Sequence, residues 1–270
     1  MSVISSALSR SAIVARLRAA GCVFAEDEAE LLISSARTQP DLTAMVDRRV
    51  AGLPLEHVLG WVEFCGLRIA VDETVFVPRR RTGLIVHEAV ALVGAGQWLA
   101  RTPVIVDLCC GSGAVGVALA TALGEVALSA VDIDPAAVRC ARRNVAPTGG
   151  QVYEGDLDEP LPDALRGRVD ILVANAPYVP SEAIALLPPE ARLHEPRVAL
   201  DGGADGLDVL RRVIGAAPRW LAPGGHLLVE TTERQVPLPL DIVARHGLIP
   251  RVASSEELGA TVIVGSRSVG

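Results

Sequence analysis

The sequence predicts an α/β protein: a Rossmann-like, largely parallel sheet wrapped by helices, preceded by a small helical segment and a β-hairpin. Three observations predict this. From about residue 83 onward, short apolar runs alternate with stretches of helical spacing, the pattern of parallel strands joined by helices. Within that region Val104–Val106, Asp107 and a loop rich in small residues lead into the apolar run Ala114–Leu123, a strand, glycine loop and helix in succession. Ahead of it, residues 5–50 carry helical periodicity and residues 57–77 carry strand-like runs, so the chain has a differently built front end.

The elements follow in order. Leu8, Ala12, Ala15 and Ala19 repeat at helical spacing, and Gly21 marks a stop. Glu26, Asp27 and Glu28 suit the positive end of a second helix, whose apolar face is Ala29, Leu32, Ile33 and Ala36. Pro40-Asp41 starts a third, with Leu42, Met45, Val46 and Val50 inward. Val58–Phe64 and Leu67–Val71 read as two strands around Cys65-Gly66. A helix over 83–99 and strands over 104–108, 126–131, 151–154, 169–174, 226–231, 249–253 and 261–265 complete the chain. The expected division is a helical unit over 1–55, a hairpin linker over 56–77 and the α/β domain over 78–270.

Composition narrows the function. The chain has 270 residues, half of them hydrophobic, and a formal net charge of −7, which disfavours a sequence-independent grip on a nucleic-acid backbone. Five cysteines without a C-x-x-C spacing suggest neither a disulfide framework nor a zinc site, and the five histidines are too scattered to nominate a metal. The amino terminus lacks the continuous apolar core of an export signal, and apolar runs are broken by polar residues before membrane-spanning length. A cytoplasmic protein without membrane partners is expected.

In such a sheet, ligands bind at the carboxyl ends of the strands, which picks out Asp107, Asp132, Asp156 and Asn175. Gly111, Gly113 and Gly116 fit the G-x-G-x-x-G pattern, with Asp132 at the spacing of a ribose-binding acid. That loop alone suits either a dinucleotide or S-adenosylmethionine; Asp107 at the strand end suits the second. Asp156 is read either as an acceptor for an adenine amino group, with Leu157 against the ring, or as a helix cap. The discriminating stretch is Asn175-Ala176-Pro177-Tyr178. The lone pair of an amide or aromatic amine is delocalised, so the nitrogen is a poor nucleophile. Two acceptors on its N–H groups, the Asn175 side-chain oxygen and the Ala176 carbonyl, would aim that lone pair at a methyl donor. Pro177 sets the turn and Tyr178 packs against the planar group. Such catalysis is positioning and electrostatics.

With these residues the chain resembles the HemK/PrmC-type protein-(glutamine-N5) methyltransferases. The resemblance rests also on Gly52-Leu53-Pro54-Leu55-Glu56-His57, Phe76-Val77-Pro78-Arg79, Glu195-Pro196, Ala199-Leu200, Gly202-Gly203-Ala204-Asp205-Gly206-Leu207-Asp208, Pro223-Gly224-Gly225, Glu230 and Gln235. It implies a seven-stranded S-adenosylmethionine methyltransferase domain behind a helical substrate-recognition unit. The implied activity is methylation of a glutamine side-chain amide in a release factor, at a Gly-Gly-Gln loop, or in a ribosomal protein. The implied cofactor contacts are Asp107, Cys109, Cys110, Gly111, Ser112, Gly113, Asp132, Ile133, Asp156, Leu157 and Asn175, and the implied substrate contacts are Arg79, Asn175 and Tyr178. Three positions depart from the family pattern: Ala176 replaces a proline, Cys109 replaces the first glycine of the loop, and Arg80-Arg81 stand where acids are usual. The departures keep three alternatives open: an amino-methyltransferase on a nucleic-acid base, one on a small molecule, or an inactive cofactor-binding paralogue. They also suggest that the Arg79–Arg81 run selects an acidic partner.

Overall fold

The computed structural model describes residues 8–95 and 101–269. The end of the helix expected over 83–99 therefore lies outside the described residues. Seven strands form one sheet in the order β5-β4-β3-β6-β7-β9-β8: β3 Val104–Leu108, β4 Ala127–Asp132, β5 Gln151–Glu154, β6 Val169–Ala174, β7 Leu221–Thr231, β8 Ile249–Ser255 and β9 Ala260–Ser266. The first five are mutually parallel, whereas β9 runs antiparallel to both β7 and β8. The parallel arrangement expected from alternation fails there for a covalent reason. Only Glu256–Gly259 separates β8 from β9, too short for a helical crossover, so the chain turns back as a hairpin.

Helices α5 Gly83–Ala95, α6 Ala114–Leu123 and α7 Pro135–Val145 and helices α8 Asp208–Trp220 and α9 Pro237–Arg245 cover the sheet. β6 is buried at every position, as a central parallel strand covered on both faces must be. The apolar core divides into two large clusters accordingly. One holds Ile85, Leu119, Ile105, Ile171 and Leu228, the other Leu108, Leu172, Leu210, Ile214 and Trp220. Chain order reverses between β3 and its neighbours β4 and β6, a switch point that opens a crevice at the strand ends.

Before the sheet, α1 Arg10–Ala19, α2 Ala25–Ser35 and α3 Gln39–Val50 share a separate cluster. The buried face of α1 is Ile13, Val14 and Leu17, while Ala15 and Ala19 are exposed. The alanine spacing thus marked the wrong face, because the larger side chains remove more apolar area from water. Leu55–Leu59 is a helix, α4, where a strand from Val58 was expected. Pro54 precedes it and Gly60 ends it with φ +78, so the local punctuation outweighs the short apolar run. Val58 belongs to the helical cluster, and the boundary drawn between residues 55 and 56 falls inside this helix. β1 Trp61–Phe64 and β2 Leu67–Ala70 then pair around Cys65 (φ +50) and Gly66 (φ +75), a turn with two left-handed residues that matches the twist of a hairpin. Asn144 of α7 ties this hairpin down by exchanging both hydrogen bonds with Ala70, at 3.0 and 2.8 Å.

Candidate active site

The crevice contains two adjoining cavities. The first lies over β3 and β4. Asp107, next to last in β3, is 1% exposed and accepts from the Gly116 amide at 2.9 Å, pinning the start of α6 to the strand. Burial, opposed by that hydrogen bond, pushes its carboxyl up to about 7. Between strand and helix the loop turns through Cys109 (φ +55), Gly111 (φ +55) and Gly113 (φ +78). A β-carbon at Gly113 would stand 3.0 Å from the Val145 side chain, so this position requires glycine on two counts. Cys109 adopts the left-handed conformation with a side chain, at a cost of order 1 kcal/mol where a glycine would have none. Burial raises both the Cys109 and the Cys110 thiols, so they stay protonated and behave as small wall residues.

β4 ends in Asp132, mostly buried, its carboxyl raised by burial against three backbone hydrogen bonds. One oxygen accepts from Gly111 at 2.7 Å and the other from Asp134 at 2.9 Å. Asp134 caps α7 by accepting from Ala136 at 2.8 Å. Each Asp132 oxygen retains a lone pair. Ile133, 51% exposed, and Leu157 close the rim. Asp156 reaches this cavity from the end of β5, paired with Arg212 at 2.9 Å. The helix-cap alternative for Asp156 does not occur, because a turn rather than a helix follows. The Ser112 hydroxyl, buried at the cavity wall, has no hydrogen-bond partner among the described residues. A buried hydroxyl without a partner is expected to meet one in a ligand.

The second cavity opens beyond the end of β6 and is walled in part by Pro54, Glu56, Leu187, Pro188, Glu190 and Ala191. Phe76, Asn175, Pro177 and Ala199 line both cavities. Asn175 therefore stands at the junction, its amide donating to Thr82 Oγ1 at 3.3 Å. Ala176 is buried and borders the second cavity only. Tyr178 donates to Glu230 Oε1 at 3.1 Å and accepts from Arg81, and burial with the Glu230 charge pushes its phenol up to about 12.

The arginine run is not a free basic patch. Arg79 holds the buried Glu195 through two 2.6 Å hydrogen bonds, and Arg81 holds the buried Glu230 at 3.0 Å. Buried carboxylates need such partners, so the charges of these two arginines are paired within the chain, although Arg81 is itself 45% exposed. Arg80 instead lies near exposed Glu257, at 3.8 Å. Arg79 and Arg81 thus meet buried carboxylates of this chain, and both border the second cavity. Sequence reading missed Thr82 and Arg212 as cavity residues; no local motif marks them, since each reaches the site from another element.

The family model for the methyltransferase small domain matches residues 97–187. A release factor glutamine methyltransferase of Geobacter sulfurreducens is 40% identical over 228 residues, covering 83% of this chain and 76% of the relative. Another, from Mycolicibacterium smegmatis, is 37% identical over 268 residues, covering 89% and 92%. The chain belongs to the release factor glutamine methyltransferase family. It is an S-adenosylmethionine-dependent methyltransferase with the Rossmann-like fold of that class. Among solved structures, the hMettl16 catalytic domain in complex with a MAT2A 3′UTR hairpin superimposes with a TM-score of 0.54 at 15% identity, covering 84% of this chain and 82% of that one. That likeness is one of fold. Family membership decides between the two cofactors the glycine loop allowed, against the dinucleotide. The donor set fits S-adenosylmethionine: acids at the ends of β3 and β4, a turn lined by backbone amides, and an unpaired buried hydroxyl.

Proposed function

We propose that this protein methylates the side-chain amide nitrogen of a glutamine in a peptide-release factor. The observation that supports this best is the placement of Asn175 and Pro177 at the junction of two cavities, one suited to a nucleoside cofactor and one open to a protein loop. In this reading Asp132 holds the ribose hydroxyls, Asp156 and Leu157 receive the adenine, and Asp107, Cys109, Cys110, Gly111, Ser112, Gly113 and Ile133 form the rest of the cradle. The bound cofactor supplies an electrophilic methyl group on a sulfonium. Asn175 Oδ1 and the Ala176 carbonyl accept the two amide N–H groups of the glutamine. This holds its nitrogen lone pair toward the first cavity and favours the positive charge that develops on nitrogen. Tyr178 forms a flat wall beside the amide, and Arg79 braces the cleft through Glu195. The acidic N–H left after transfer needs no strong base, and water in the open cleft suffices to take the proton. Residues 1–55 and the linker over 56–77 present the protein substrate to the α/β domain over 78–270.

The test is mass spectrometry of a release factor incubated with this protein and S-adenosylmethionine. The expected result is one methyl group on the glutamine of its Gly-Gly-Gln loop. A release factor recovered unmodified, while another component of the same cell extract gains the label, would assign the site to a different acceptor. The protein has no helix, among the described residues, long and apolar enough to cross a membrane.

A further inference from the structure

We propose that Arg212 is a positioning residue for the cofactor: it holds one oxygen of Asp156 and leaves the other to the adenine amino group, so that the first cavity prefers a 6-amino purine. This rests on the placement of adenine at Asp156 and Leu157 proposed above. The amino group of adenine donates N–H, and a carboxylate only accepts. Such a bond selects the base only if the carboxylate is held where the amino group arrives.

The hold comes from one face of α8. Arg212 and Arg219 stand about two helical turns apart and so share a side of the helix. Arg212 donates to Asp156 Oδ2 at 2.9 Å, while Arg219 and Trp220 Nε1 donate to Asp158 Oδ2 at 2.5 and 2.9 Å. The helix thus grips the loop after β5 at two carboxylates. The first grip borders the cofactor cavity and the second does not: Asp156, Leu157 and Arg212 line it, whereas Asp158 and Arg219 are absent from its wall. The side chains of Arg212 and Asp156 are 53% and 37% exposed. A pair so exposed adds little to stability, so its consequence lies in geometry. It engages Oδ2 and leaves Oδ1 to a ligand. Leu157, next in the chain, is buried with φ +51. A leucine in the left-handed region is strained, and such residues persist where their surroundings fix them and gather at ligand clamps. Without Arg212, Asp156 would turn into water and have to be ordered again by the ligand, a loss of about three- to tenfold in affinity for one side chain. Arg212 also borders the cavity itself and can donate to ring nitrogens of the base. A purine with or without the amino group offers those nitrogens alike, so comparing the two isolates the route through Asp156.

The experiment measures binding, by calorimetry on the full chain, of S-adenosylhomocysteine and of its analogue with hydrogen in place of the 6-amino group. Wild type should prefer S-adenosylhomocysteine by about tenfold or more, as a hydrogen bond to a charged acceptor does. Arg212→Ala should lower that preference about three- to tenfold. Arg219→Ala loosens the same loop away from the cavity and should leave the preference within about twofold of wild type. In an Asp156→Ala background, Arg212→Ala should leave the preference unaltered, because the carboxylate it acts through is gone. Loss of affinity for both ligands alike in Arg212→Ala would make Arg212 a contact of the ring or a part of the fold and overturn the inference. A fall in Arg219→Ala as large as that in Arg212→Ala would show general anchoring of the loop and overturn it too. Equal wild-type affinity for the two ligands overturns the inference together with the placement of adenine on which it rests. A release factor left unmethylated while these ratios hold refutes the proposed acceptor and leaves the role of Arg212 standing.

Discussion

Asp107, Asp132 and Asn175 stand at neighbouring strand ends and do separable work. If Asp132 holds the ribose as proposed, replacing it by Ala removes acceptors for neutral hydroxyls, worth about 1–3 kcal/mol; calorimetry should show S-adenosylmethionine affinity falling about tenfold. Asn175→Ala should cut turnover about a hundredfold, by analogy with loss of one oxyanion-hole donor, with affinity for the cofactor changed far less. Near-normal turnover would remove Asn175 from the chemistry. Asp107 gives a pH signature. Its carboxyl titrates at about 7 in the fold against an ordinary 3.8, so between those values the folded state holds a proton that the unfolded chain has released. Its contribution to stability is full below pH 4 and is lost as pH rises through 7. Asp132 is shifted in the same direction. Thermal melts at pH 5 and pH 8 should therefore show a decline in the cofactor-free wild type that Asp107→Asn reduces; an identical decline in both proteins would refute this assignment.

At the scale of elements, the segment after the Asn175 loop acts as a buttress. Val179 bridges Asp201 in parallel, Gly202 donates to Val179, and Gln235 Nε2 holds the Tyr178 carbonyl at 3.1 Å. Backbones approach so closely that a β-carbon on Gly202 would lie 2.5 Å from the Gly206 carbonyl oxygen and 2.7 Å from that of Pro177. Backbone cannot give way as a flexible side chain can. Gly202→Ala should displace the Pro177 turn and lower turnover by about a hundredfold, the cost of a shift near 1 Å in a positioned group. Cofactor affinity should fall much less, and stopped assays of both quantities on one preparation distinguish this from general unfolding.

Across the whole molecule, one arginine joins the helical front end to the wall of the acceptor cleft. Arg49 of α3 is 7% exposed, binds Glu28 of α2 at 2.6 and 3.1 Å, the Leu53 carbonyl at 2.9 Å, and Glu190, a cleft residue, at 2.6 Å. Arg49→Ala strands the buried Glu28 charge, a loss of about 3–5 kcal/mol. Denaturant unfolding should register that loss, and adding Glu28→Gln should restore part of it, because the stranded charge is then gone. The same variant should raise KM for a release factor more than it changes cofactor affinity, if the front end presents the substrate.

Much of this was legible in the chain. The spans of β3, β5 and β6 and the acids at the strand ends follow from short apolar runs broken by Asp107 and Asp132, since strand periodicity and glycine punctuation are local properties. Other features were decided only in three dimensions. Ala15 and Ala19 lost the inner face to Ile13, Val14 and Leu17. The reversal of β9 depends on a short connection and on pairing with β7. The arginine run suggested a selector of an acidic partner because the partners of Arg79 and Arg81, Glu195 and Glu230, lie 116 and 149 residues further along. Charge along a sequence is visible, but its neutralisation by a distant buried carboxylate is a property of the tertiary structure alone.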